Sequence, residues 1–292
     1  MVIRFAAIAF IVATMIPSSR AHREVPEVDS AVQVAEPYIG RALFLRCFCA
    51  ENTLTFDPQG QPSGPIKTLD WTLAAVNITK VDRKAPGQIE LDGVRVAIRY
   101  NPDNHEFQRH PQNDEKVRIT LADTAGPQQL QHALDAIFSQ GIDPALQRSM
   151  PDFWRHYFDP LLPWPTDDLS PQTIYIPGPA NLRLSPDGAR TLTGSKDDPP
   201  VSTATISHHT DIGLTPAAER DHVRGQVVLR VIVDTEGKPR RIRIERPLGY
   251  GLDERAVEAT LKARFKPATL SGVPVPSVLL LGEDLAPTPP PH

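Results

Sequence analysis

The most regular alternation of apolar and polar positions in the chain runs from Gly225 to Arg246. Val227, Leu229, Val231 and Val233 recur at every second position, and Thr235-Glu236-Gly237-Lys238 interrupts the run with turn residues. Ile242 and Ile244 then alternate with Arg241, Arg243 and Glu245. Successive side chains of a strand point to opposite faces, so this is the pattern of a β-hairpin with one apolar face. Leu252, Ala256, Val257, Leu261 and Phe265 follow at helical spacing. They predict a helix whose apolar stripe, Leu261 included, lies on the hairpin. Pro267 stops it, because the residue before a proline is driven out of the α region. After a turn at Gly272, Val273 to Leu281 reads as one more strand. Pro274 and Pro276 place it at a sheet edge with one side exposed, since proline cannot donate to a ladder. The unit is β-β-α-β.

The first half of the chain carries shorter patterns. Ala42 to Cys49 is an apolar run of strand length, and Trp71 to Val81 alternates with Ala74, Val76 and Ile78 on one face. Ile89 and Leu91, an Asp92-Gly93 turn, then Val94, Val96 and Ile98 predict a second hairpin, Asp-Gly between alternating segments being a strong hairpin signal. Val117, Ile119 and Leu121 add a strand. Leu130, Ala133, Leu134, Ile137 and Phe138 give a helix that stops near Gly141, and Pro151 to Phe158 a second, short one. From Pro160 to Pro200 the periodicity disappears while prolines recur, so this stretch reads as a semi-extended linker with one strand at Thr173 to Ile176.

The expected fold class is therefore α+β, a mostly β N-terminal domain with C-terminal helices, a proline-rich linker and a β-β-α-β domain. The boundaries fall at 22–160, 161–205 and 206–292, after a signal peptide at 1–21. Arg4, the apolar run Phe5 to Ile16 and small residues ending at Ala21 make that leader. Its dozen apolar residues fall short of the roughly 20 that a spanning helix needs. Cleavage after Ala21 and a periplasmic location are expected, with an intact inner-membrane anchor as the alternative.

Composition adds one outlier, 31 prolines in 292 residues, about twice the usual share. The net charge of −4 gives no general attraction to nucleic acid. Cys47 and Cys49 share a strand face. They stay open between buried thiols, a local disulfide, and a redox or metal pair. His105 and His110 are five apart, and His208 and His209 adjacent, spacings that suit solvated loops better than a metal site. Nucleophile-elbow, phosphate-loop and dinucleotide fingerprints are missing, so neither a catalytic residue nor a cofactor is expected. Lys238, Arg240, Arg241, Arg243 and Arg246 form a basic hairpin, read either as a solvated face or as a docking surface for an acidic partner.

Several spaced landmarks of the last quarter carry a resemblance: Gly225-x-Val227, Val233-Asp234-x-x-Gly237, Gly251-Leu252-Asp253-x-x-Ala256-x-x-Ala259, Arg264-Phe265-x-Pro267-Ala268 and Gly272-Val273-Pro274-Val275. Over about residues 206 to 281 the chain resembles the C-terminal domain of the TonB family, proteins of the Gram-negative periplasm that reach outer-membrane transporters. The resemblance implies a non-enzymatic periplasmic module that binds an outer-membrane transporter, or another cell-envelope protein, by strand addition. By position, the binding strand comprises Val275, Ser277, Val278, Leu279, Leu280 and Leu281, with Arg241 and Arg243 as basic neighbours. A proline at Leu279 is expected to block such pairing. The alternatives are a membrane-anchored energy transducer for transmembrane transport, and a secreted enzyme that uses the N-terminal domain.

Overall fold

The computed structural model describes residues 30–122, 126–164, 173–175, 190–191 and 199–286. The expected signal peptide, most of the expected linker and the final residues of the chain lie outside these.

In the N-terminal half, α1 (Ser30–Ala35), β1 (Ala42–Leu45), β2 (Thr53–Phe56), β3 (Ala75–Ala85), β4 (Gln88–Asn101), β5 (Glu106–Leu121), α2 (Pro127–Ile137) and β6 (Phe138–Ser139) build a six-stranded sheet. Its order is β2-β5-β4-β3-β1-β6. The apolar face of α2, Leu130, Ala133, Leu134 and Ile137, joins Leu43, Leu45, Val76, Ile78 and Ile119 in one buried cluster. Asp92-Gly93 does not turn the chain. It lies inside β4, with Gly93 opposite Ile78 and Val117, and the reversal is made instead at Pro86-Gly87. Gly93 is required by packing, since a Cβ there would sit 2.5 Å from the Asn77 carbonyl oxygen. Trp71 to Leu73 forms a 3-10 turn ahead of β3, not the start of the strand. The polar stretch from Glu106 is also strand, paired with the second half of β4, which places His110 in β5 and not in a loop.

Helices α3 (Pro144–Ser149) and α4 (Asp152–Phe158) lead out of this half. Short strands β7 (Ile174–Tyr175), β8 (Arg190–Thr191), β9 (Val201–Ser202) and β10 (Thr205–His208) follow. The chain closes with α5 (Pro216–Arg220), β11 (Gly225–Val233), β12 (Pro239–Arg246), α6 (Leu252–Lys262), β13 (Arg264–Lys266), β14 (Ala268–Leu270), β15 (Val273–Val275) and β16 (Ser277–Leu285). The second sheet has the order β12-β11-β16-β7-β8. The described parts of the expected linker thus include short strands of the C-terminal sheets.

The halves share one core. Phe44, Trp71, Ile98 and Trp154 cluster with Leu229, Tyr250 and Leu252. Beyond the reach of β3, the edge of β4 takes up the link before α6: Tyr100 N–H donates to the Leu248 carbonyl at 3.0 Å, and Tyr250 N–H to that of Ile98 at 2.9 Å. Gly249 sits between them at φ 90°, where a Cβ would lie 2.1 Å from the Ile98 oxygen. Behind this contact Asp70 accepts from the Thr72 backbone N–H and hydroxyl and from the Trp154 indole, while the Thr72 hydroxyl oxygen accepts from the Gly251 N–H at 2.7 Å. Asp253, fully buried, accepts from the Leu248 and Gly249 N–H groups at 2.8 and 2.7 Å. Burial, with the nearby Asp70 carboxylate adding to it, pushes the Asp253 carboxyl up to about 8.

Helix α6 is rotated from the expected stripe. Its buried side is centred on Leu252, Ala256 and Thr260, whose hydroxyl donates to the Ala256 carbonyl, and Leu261 is left 52% exposed. Leu252→Ala is accordingly expected to cost about 2–5 kcal/mol, and Leu261→Ala about 0.5 kcal/mol or less, read as shifts in urea midpoint.

A carboxyl whose pKa is raised on folding keeps its proton in the native state while the unfolded chain has lost it. Its contribution to stability therefore falls as pH rises from the ordinary carboxylate value towards 8. Glu254, pushed up by burial to about 7, acts in the same sense. Asp143 and Asp234 are held below their usual value, Asp143 chiefly by Arg46, so their stabilisation is lost only in more acidic solution. The urea midpoint should drop between pH 5 and pH 8, and the drop should be smaller in Asp253→Asn.

Candidate partner-binding surface

The candidate surface is built on β11, β12 and β16. The β-branched run of β11 pairs on one side with β12 and on the other with β16, in unbroken antiparallel register from Gly225↔Leu285 to Val233↔Ser277. One face, Val227, Leu229, Val231 and Val233 with Ile242 and Ile244, enters the shared core.

The expected strand from Val273 to Leu281 is broken at Pro276. Val275 belongs to β15 and pairs with Ala268 of β14, so it is not part of the surface formed by the last strand. Ser277 and Val278 are buried, not exposed, because β7 pairs with them in parallel. Ile174 N–H donates to the Pro276 carbonyl at 2.9 Å. That bond fixes the phase of the strand: with alternation, Val278, Leu280, Gly282 and Asp284 direct their backbone groups outward, and Leu279 and Leu281 direct theirs to β11. Among the described residues no strand pairs with the outward side beyond Val278. Leu279, Leu280 and Leu281 are half-buried, and Gly282 and Asp284 are exposed.

The opposite face of the sheet is not a solvated basic patch. Arg241 and Arg243 are buried, together with Arg230. Glu245 bridges Arg230 and Arg243, with Oε1 2.6 Å and 2.7 Å from the two Nε atoms. The Arg241 guanidinium lies 5.5 Å from the Trp164 ring centroid, and Trp164 stacks on His156 at 3.6 Å. Tyr175 of β7 packs with Ile232 and Val278 on the same sheet, and α4 lies against β12 at the other edge. The alternation of arginines with Glu245 in β12 was visible in the sequence, but the cover from Trp164 and α4 comes from residues more than 70 positions away.

Among the described residues no group of three or more His, Cys, Asp or Glu side chains is arranged to hold a metal ion. His110 is half-buried with its ring against Tyr250 at 5.8 Å, and His209 Nε2 lies 3.0 Å from Glu283 Oε1. Sequence reasoning missed the outward phase of Gly282 and Asp284 and the part played by Ile174. Only the alternation counted from a known hydrogen bond identifies the first. Nothing local signals the second.

Residues 216–280 match the family model described as Gram-negative bacterial TonB protein C-terminal. The C-terminal unit is thus similar to the C-terminal domain of Gram-negative bacterial TonB proteins. The match leaves residues 1–215 without an assignment. Comparison of the chain with curated proteins finds no match.

A buried ion cluster is far more costly to break than to replace as a whole, because the remaining charge loses its partner without regaining water. Glu245→Gln should therefore destabilise the protein by about 3–5 kcal/mol. Replacing Arg240, an exposed member of the hairpin paired with Asp234, by Gln should cost under about 1 kcal/mol. Paired urea titrations of the two variants check both values.

Proposed function

We propose that this chain is a non-enzymatic, periplasmic TonB-like protein whose C-terminal domain takes an extended segment of an outer-membrane transporter, or of another envelope protein, as an added strand along β16. The observation that supports this reading is the outward backbone of Leu280, Gly282 and Asp284, which has no strand partner among the described residues. In this mode main-chain hydrogen bonds supply affinity, and side-chain pockets alternating along the strand supply selectivity. The usable stretch is shifted towards the C-terminus relative to Val275–Leu281, since Ser277 and Val278 already hold β7. Arg241 and Arg243 act beneath the surface, holding the sheet's second face to its cover, and not as direct contacts.

Among the described residues no helix is long and apolar enough to cross a membrane. The anchored transducer would therefore draw its anchor from residues outside the described ones.

Substitution by proline separates the two sides of the strand. Leu280→Pro removes an outward donor and leaves the β11 ladder intact, as proline is tolerated at a strand edge. Leu279→Pro removes a donor to β11, so the proline position expected from the sequence tests folding and not binding. Calorimetric titration with peptides from extended segments of outer-membrane transporters should show binding that Leu280→Pro abolishes at an unchanged urea midpoint. Equal affinity in the variant would sink strand addition at this edge.

A further inference from the structure

Cys47 and Cys49 are joined by a disulfide across a single intervening residue. Loop-closure entropy grows with the logarithm of loop length, so a bond of this span removes little freedom from the unfolded chain. Nor does it tie β1 to a second element, because both flanks are anchored without it. On one side Arg46 N–H donates to the Ile137 carbonyl, and its guanidinium forms a two-point pair with Asp143. On the other, Ala50 N–H donates to the Lys67 carbonyl and Leu69 N–H to that of Phe48. The bond can open while the surrounding backbone stays in place.

Two further observations set its chemistry. Cys49 is fully buried, whereas Cys47 is only half-buried, so Cys47 is the more accessible residue of the pair to an incoming thiolate. Between them Phe48 is held at φ 48°, in the left-handed region that a bulky residue occupies at a cost. Phe48 belongs to the core shared by both halves and Cys49 to the separate core under α2, so the pair lies where the two cores meet.

We propose that Cys47–Cys49 is an exchange-active disulfide that accepts electrons from a dithiol. One thiolate of the dithiol attacks Cys47 Sγ and forms a mixed disulfide. The Cys47–Cys49 bond breaks with its electron pair on Cys49 Sγ, which takes a proton. The second thiol of the donor, deprotonated, attacks its own sulfur in the mixed disulfide and releases Cys47, which is protonated in turn. The donor leaves as a disulfide, having given up two electrons and two protons to the cysteine pair.

The test equilibrates the full chain in graded reduced and oxidised glutathione buffers, quenches in acid, alkylates under denaturing conditions and counts free thiols by intact mass. The expected result is opening of the pair with the far-UV circular dichroism unchanged. A bond that stays closed until that signal is lost overturns the proposal. In the native state the single thiol of Cys49→Ser should react with an aromatic disulfide reagent, and that of Cys47→Ser only after denaturation. The reverse order overturns the assignment of Cys47 as the attacked sulfur.

Discussion

The structure depends on a short piece of backbone pairing. Two hydrogen bonds between β4 and Leu248–Tyr250, closed behind by the hydrogen-bond chain in which Gly251 donates to Thr72 and Thr72 to Asp70, bring the start of α6 against the N-terminal sheet. The packing of α4 on β12 and the bonds of Gln112 and Glu115 to Asp221 and Arg220 join the same two halves. With Gly249 against Ile98, no side chain can intervene, and Tyr250 and Leu252 are carried into a core already begun by Trp71 and Trp154. Asp253 supplies acceptors for the link that would otherwise be buried without partners, and its own burial follows from this role.

What could be read in the sequence was local. The β11–β12 hairpin, α2 and α4 stand close to where their patterns put them, because each needs only neighbouring residues to show its buried face, whereas the helix after the hairpin ends at Lys262 and leaves Phe265, expected on its stripe, to β13. Asp92-Gly93 misled because the same dipeptide suits a tight turn and a close approach between strands, and only the Asn77 carbonyl distinguishes the two. The polar half of β5 has no apolar alternation to read, since its pairing with β4 supplies what its side chains do not. Leu261 fits a helical stripe on paper, yet the stripe is centred about Ala256 and Thr260 by the sheet beneath.

The candidate surface was legible in part, for the same reason. Alternation identified the last strand and its leucines, but neither its break at Pro276 nor which side of it faces out. Arg241 and Arg243 read as solvated because charge on one strand face usually is. Here Trp164 and His156, together with Glu245 of β12 itself, make the exception, and neither aromatic is coupled to β12 by a local pattern. Proline-rich sequence is a fair sign of an extended chain, but extended chain is also what a sheet edge accepts, as Ile174 and Tyr175 demonstrate.

The pairing of β16 with β11 has a mechanical meaning. The two strands are antiparallel over nine facing residues without a register shift. Tension drawn along β16 is therefore shared as shear across the whole ladder, whereas tension applied across the strands would open it one bond at a time. A segment added to the outer side of β16 would lie parallel to that shear direction and load the ladder in its stiffer sense. The two bonds between β4 and Leu248–Tyr250 have no such length over which to divide a pull.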